Sequence, residues 1–268
     1  MHSKRFLATV LAGAVAAATL LGTAGPAAAS RIASGTGHVG PGTQLITAGR
    51  SCTANFVFRD AAHRVYLGYA ASCATRTAVT PATACTARSL PLGTRVRLAD
   101  RGRTVGYGRL RYSSLKALHA AGATDAAACA ADDFALVEVR GATRRHVSPA
   151  VPYWGGPSGL AGLPGAGSTV FGLTRAAAGS RTLPRAGQVS SVGTGSASVD
   201  TPLPSARSAR GSGFLDGAGH AVGILTASSS TGANTVVSLA DAVAFARSHG
   251  VAGLHVVRGP GFSGTAIL

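Results

Sequence analysis

Acidic side chains are scarce in this chain: nine Asp and Glu stand against 25 Lys and Arg over 268 residues, a formal charge of +16. The partners that such a field draws in are anionic ones. Lysine is almost missing, with only Lys4 and Lys116, so the charge is carried by arginine within an Ala- and Gly-rich composition of the kind GC-rich coding also produces. Aromatic residues make up 5% of the chain. Only Tyr107 and Tyr112 interleave the basic stretches, which leaves no stacking platform for single-stranded nucleic acid, and nucleic acid is not specifically indicated. No Cys-x-x-Cys spacing and no histidine beside a cysteine suggests zinc, and neither a metal nor a cofactor is expected. Beyond the first residues, no apolar run approaches the roughly 20 residues a membrane span needs.

The first residues read as a targeting segment. His2, Lys4 and Arg5 form a basic start, Phe6 to Leu21 is apolar, and Ala27-Ala28-Ala29 offers a small-residue cleavage site before Ser30. Residues 1–29 are therefore expected to be a signal peptide cleaved near Ala29, which places the product outside the cell. The mature chain of 239 residues, with a formal charge of +14, suits one large all-β domain or two smaller ones sharing an interface. Four cysteines, Cys52, Cys73, Cys85 and Cys129, are an even number in an exported chain and argue for two disulfides, with three pairings open.

From Thr43 onward, short β runs alternate with Gly, Pro and Ser. The expected strands are Ala54–Phe58, Val65–Ala70, Arg95–Leu98, Thr104–Leu110, Phe134–Val139, Ser168–Leu173, Gln188–Val192, Phe214–Leu215, Ala221–Leu225 and Thr235–Ser238. Many short strands indicate a sandwich or barrel. Leu239, Ala242, Val243 and Ala246 recur at helical spacing after Ser238, a capping residue, and before Gly250, so one helix is expected near the C-terminus. Pro149, Pro152, Pro157 and Pro164 mark residues 146–167 as a linker between two units. Arg95 and Arg97, and Arg109 and Arg111, alternate with apolar residues, which in strands puts each pair on one exposed face. These four are the candidate binding residues for a polyanionic cell-surface polymer, although a solvated sheet edge that resists pairing is the favoured explanation for them.

Three segments carry chemistry in an ordered series: Tyr69-Ala70-Ala71-Ser72-Cys73, Asp132-Asp133-Phe134-Ala135-Leu136-Val137, and Ser208-Ala209-Arg210-Gly211-Ser212-Gly213-Phe214-Leu215-Asp216. Together with Ala221-Val222-Gly223-Ile224-Leu225 they resemble the chymotrypsin-like (trypsin-like) serine proteases of secreted bacterial type. There the matching stretches supply a histidine base, an orienting aspartate and a serine nucleophile. The resemblance runs over roughly residues 38–250. It implies an all-β fold of two antiparallel barrels, residues 30–145 and 168–250, joined by 146–167, with the late helix in the second unit and 251–268 left as a Gly-rich tail. It also implies the pairing Cys52–Cys73, beside the base position, and with it Cys85–Cys129 as the second disulfide.

Measured against that family the triad is degenerate. Ser72 stands at the base position and Arg210 at the nucleophile position; only Asp133 is kept, chosen over Asp132 because Phe-Ala-Leu-Val follows it directly. A serine hydroxyl neither takes nor returns a proton usefully near neutral pH. The other histidines, His38, His63, His119, His146, His220, His249 and His255, fall in no matching motif. Shifting the alignment by two residues nominates Ser212 as an alternative nucleophile, still without a base. An oxyanion pocket from the backbone N–H groups of residues 208–210 is a further expectation, and so is an ion pair of Arg210 with Asp133 through the space the histidine would fill. The leading expectation is thus an inactive protease homologue that binds a peptide or polyanion. The alternatives are a weak or rearranged endopeptidase or esterase using Ser212, and an unrelated exported β domain if the motif matches are accidental.

Overall fold

The computed structural model describes residues 38–175, 182–202 and 204–264. The expected signal peptide, 1–29, lies outside the described residues, as do 265–268 at the chain end. The first half contributes β1 (Gln44–Thr47), β2 (Arg50–Thr53), β3 (Val57–Arg59), β4 (Val65–Tyr69), β5 (Arg95–Asp100), β6 (Arg103–Ser113) and β7 (Ala135–Val139). The second half contributes β8 (Gly159–Leu160), β9 (Thr169–Arg175), β10 (Thr182–Gly193), β11 (Ser196–Asp200), β12 (Gly213–Leu215), β13 (His220–Ser228) and β14 (Ala233–Ser238), and a last strand, β15 (His255–Val256), ends the series.

Two sheets result. One has eight strands in the order β15-β3-β4-β7-β6-β5-β1-β2; the other has seven, β12-β9-β10-β11-β14-β13-β8, and pairing of β12 with β13 closes six of its strands into an antiparallel barrel. The alternation read in the sequence holds where it was clearest. In β5 and β6, Val96, Leu98 and Leu110 are buried while Arg95, Arg109 and Arg111 are exposed. Phe56, Phe58, Phe134, Trp154, Phe171, Leu215 and Ile224 join one apolar cluster drawn from both sheets, so the two halves share a core.

The terminal helix forms as its sequence signals indicate, but it is not the only one. Helices α1 (Ser114–Ala120), α2 (Ala126–Ala131) and α3 (Gly141–Arg144) precede it, and it is α4 (Leu239–Ser248). The first three are too short to display a helical period, although Leu115 and Leu118 of α1 are buried and the Asp125 carboxylate caps α2 at the Ala127 and Ala128 N–H groups. In α4 the Ser238 hydroxyl accepts from the Asp241 N–H, and Leu239, Ala242, Val243 and Ala246 are buried, all as the spacing predicts. Strands β1, β2, β8 and β11 fall outside the expected set, β8 lying within the stretch expected as a linker, and β10 starts earlier than its sequence pattern indicates. Segment 251–264, read as a tail, is structured: β15 pairs with β3, Val256 opposite Phe58, and the Val257 N–H reaches the Val57 carbonyl at 2.8 Å.

Both disulfides implied by the resemblance are present, Cys52–Cys73 and Cys85–Cys129. The second spans 44 positions and ties α2 to the turn at Pro81–Thr83; closing a loop of that length is worth about 4 kcal/mol in the chain-entropy model. Among the described residues no helix is long and apolar enough to cross a membrane.

Candidate functional site

Strand β2 organises the site from both sides. It lies after the tight β1–β2 hairpin, whose two loop residues, Ala48 and Gly49, both adopt positive φ (47° and 84°) as such a turn requires. Cys52 then bonds Cys73, anchoring the short turn Ala71–Ala74 that carries Ser72. On the other flank the Thr53 N–H donates to the Arg210 carbonyl at 2.8 Å and its hydroxyl to the Ser208 carbonyl at 2.7 Å. Gly211 permits this approach: at φ +91°, a Cβ there would lie 2.6 Å from the Thr53 carbonyl oxygen and 3.0 Å from the Ala70 nitrogen. Asp133 is positioned by Ser114 at the start of α1, whose N–H meets the Phe134 carbonyl, and whose hydroxyl donates to the Asp132 carbonyl and accepts from the Phe134 N–H.

These constraints bring Ser72, Asp133 and Arg210 together although they come from distant parts of the chain. The Asp133 carboxylate accepts two hydrogen bonds from Ser72, from its N–H at 2.6 Å and its hydroxyl at 2.8 Å. The Ser72 oxygen in turn accepts from Arg210 Nη1 at 3.3 Å. The expected direct ion pair is therefore replaced by a relay with the hydroxyl in the middle; Ser72 fills the space through which the guanidinium was to reach. Burial raises the Asp133 carboxyl above its ordinary range, and the opposing effects of the two Ser72 bonds and the Arg210 charge do not cancel it.

Asp132 behaves differently from its neighbour. Both of its carboxyl oxygens are buried without a hydrogen-bond partner among the described residues. Burial first, then the charges of Asp133 and Asp241, push its carboxyl up to about 8. Asp133, chosen on the four residues after it, is the one that meets Ser72.

The remaining candidates disperse. Ser212 is fully buried, and its hydroxyl has no hydrogen-bond partner among the described residues. No histidine is hydrogen-bonded to Ser72, Asp133, Arg210 or Ser212 among the described residues; His220 pairs instead with Asp216, 3.0 Å away. Two of the three N–H groups expected to form an oxyanion pocket are already bonded within the protein. In the turn Arg207–Ala209, the Ala209 N–H donates to the Ala206 carbonyl and the Arg210 N–H to the Arg207 carbonyl, which takes two of the three donors out of use.

Arg95, Arg97, Arg109 and Arg111 sit together on the first sheet, Arg95 directly opposite Arg109. Arg95 lies 3.6 Å over the Tyr107 ring, Arg97 donates to Thr104, Arg109 to the Gly93 carbonyl, and Arg111 pairs with the buried Glu138 at 3.1 Å. No cluster of His, Cys, Asp or Glu suited to a metal occurs among the described residues.

Residues that the sequence reading passed over line the space beside Arg210. A cleft of about 520 Å³ has Arg50, Arg207 and Arg210 on its walls, and a smaller cavity of about 110 Å³ opens between Ser72, Leu115 and Thr226. No local pattern marks Arg50 or Arg207; the β1–β2 hairpin and the turn before β12 place them.

The architecture is that of the chymotrypsin-like serine proteases, and the similar solved structures are bacterial enzymes of that class. A Glu endopeptidase solved with MPD has a TM-score of 0.55 and 17% identity, covering 82% of this chain and 94% of that one. A glutamic-acid-specific serine protease, described as using a histidine triad in substrate binding, has a TM-score of 0.51 and 16% identity over 82% of this chain and all of that one. Protease A of Thermobifida fusca has a TM-score of 0.48 and 15% identity, covering 83% and 100%. At these identities the likeness is one of fold. No family model matches the sequence, and no curated protein matches it.

Proposed function

We propose that this protein is a serine-protease homologue without peptidase activity that works outside the cell by binding a ligand in the cleft beside Arg210. The observation that carries the reading is the Asp133–Ser72–Arg210 relay: a hydroxyl occupies the place between acid and would-be attacker where acyl transfer needs an imidazole. The turn that consumes the Ala209 and Arg210 N–H groups supports it, because transition-state charge finds few donors there. Two disulfides fit an extracellular setting.

Treating the purified protein with a fluorophosphonate probe, and with casein and small ester substrates, tests this. The expected result is no labelling and no turnover. Labelling at Ser212, or hydrolysis above background, rejects the proposal. The complementary arm restores the residues, Ser72→His with Arg210→Ser and, where needed, Ala209→Asp. Probe labelling that appears only in the restored protein supports the assignment of base and nucleophile positions.

A further inference from the structure

The 520 Å³ cleft is lined by three guanidinium groups and by no acidic side chain among the described residues. Among those residues neither Arg50 nor Arg207 has an ion-pair partner, and Arg210 makes its one side-chain bond to the neutral Ser72 hydroxyl. Asp133, the carboxylate that Ser72 links to Arg210, is buried behind that hydroxyl and already holds two hydrogen bonds. Three cations facing one concavity repel one another, and their field is concentrated by the low-dielectric walls. An anionic occupant relieves that repulsion, and each guanidinium offers a planar fork that fits a carboxylate through two hydrogen bonds.

The remaining wall narrows the chemistry. Val79, Leu225 and Ala227 supply apolar surface, and no aromatic side chain among the described residues lines the space. Single-stranded nucleic-acid bases are held in protein grooves largely by stacking on aromatic rings, which this cleft lacks. Aliphatic surface beside guanidinium groups instead fits side chains that carry methylenes and end in carboxylates. We infer that the cleft binds an acidic peptide segment, its Asp and Glu side chains held by Arg50, Arg207 and Arg210. This deepens the binding role proposed for the same cleft and rests on it.

The test measures fluorescence anisotropy of a labelled, C-terminally amidated peptide, Ala-Glu-Glu-Asp-Ala-Ala, with the purified protein. A Gln/Asn counterpart, a neutral peptide with a free C-terminal carboxylate, a single-stranded oligonucleotide and a heparin fragment serve as comparisons. The acidic peptide is expected to bind at least about 10-fold tighter than its Gln/Asn counterpart and than the free-carboxylate peptide. Arg50→Met, Arg207→Met and Arg210→Met are each expected to weaken it by about 10-fold. Arg258→Met, at an exposed position outside the cleft, leaves binding unchanged. If Arg210→Met unfolds the protein, the Arg50→Met/Arg207→Met pair carries the test. Equal binding of acidic and Gln/Asn peptides, tighter arginine-dependent binding of the oligonucleotide or heparin, or full binding by the arginine variants overturns the inference. Absence of peptide binding with no fluorophosphonate labelling removes the acidic ligand and leaves inactivity standing. Arginine-dependent binding followed by cleavage keeps the ligand class and removes the proposal of inactivity.

Discussion

Two carboxylates of the first half expose little surface, Asp60 at 1% and Asp133 at 8%, but Asp60 lies near the surface beside the partly exposed Arg64 whereas Asp133 lies deep in the protein. Asp60 accepts from the Ala62 and Arg64 N–H groups, from Arg64 Nε at 2.6 Å and from the Tyr66 hydroxyl at 2.8 Å. Burial alone pushes its carboxyl up, but these donors outweigh burial and hold it below the usual range. Asp133 has side-chain and backbone donors from Ser72, its cation acts at one remove, and burial wins. Asp133 lies deeper than Asp60 and also lacks a direct cation, and both differences push its carboxyl up. Asp60 locks the turn between β3 and β4, whereas Asp133 stands where the fold gains little from having it.

The largest expected contrast comes from removing each acid. Asp60→Ala leaves the buried Tyr66 hydroxyl and the Ala62 and Arg64 N–H groups without their acceptor, while the partly exposed Arg64 guanidinium turns to water, and is expected to cost about 2–3 kcal/mol in urea unfolding. Asp133→Asn keeps an oxygen for the Ser72 N–H and discards an ill-paired charge, so its cost is expected to stay within about 1 kcal/mol. Equal losses would erase the distinction between the two sites.

A sharper version uses pH. The Asp60 contribution is present above the unfolded carboxyl value, about 3.9, and is lost on acidification through its lowered folded value. Asp132 has the opposite sign: with a folded value of about 8, its fold is favoured at and below about pH 4, and stability drains away as pH rises toward 8. Asp132→Asn is therefore expected to stabilise the protein by on the order of 2 kcal/mol at pH 8 and by almost nothing at pH 4. Unfolding midpoints across that interval, wild type against variant, measure it; a flat difference refutes it.

Smaller effects test the relay. Ser72→Ala removes one donor to Asp133 and the acceptor for Arg210 while keeping the backbone bond, and should cost about 1 kcal/mol in the same assay. Arg210→Met, which takes away a cation that does not touch Asp133, is expected to change stability by less than about 1 kcal/mol while raising the Asp133 carboxyl further, a shift that NMR titration of the carboxyl carbon follows. A loss from Arg210→Met larger than that from Ser72→Ala would mean that the guanidinium pairs with Asp133 directly.

Residues close together in the chain announced themselves. The spacing of Leu239, Ala242, Val243 and Ala246 between Ser238 and Gly250 specified a helix, and the Arg/Val/Leu alternation of 95–98 specified a strand, because both depend on a local period. Asp133 and the cysteine pairs were legible through a resemblance that preserves the order of short motifs. Helices α1 and α2 escaped because six or seven residues hold too little periodicity, and β15 escaped because its partner β3 lies nearly the whole described chain away.

The sequence by itself determined the all-β character and the excess of arginine, since composition, order and side-chain chemistry need no geometry. Tertiary structure alone decided that the Ser72 hydroxyl stands between Asp133 and Arg210, that the Ala209 and Arg210 N–H groups are spent within their own turn, and that Arg50 and Arg207 converge on one cleft. Those outcomes depend on where β2 crosses between the two halves, and that position is set by long-range register and close packing, which no local stretch of residues encodes.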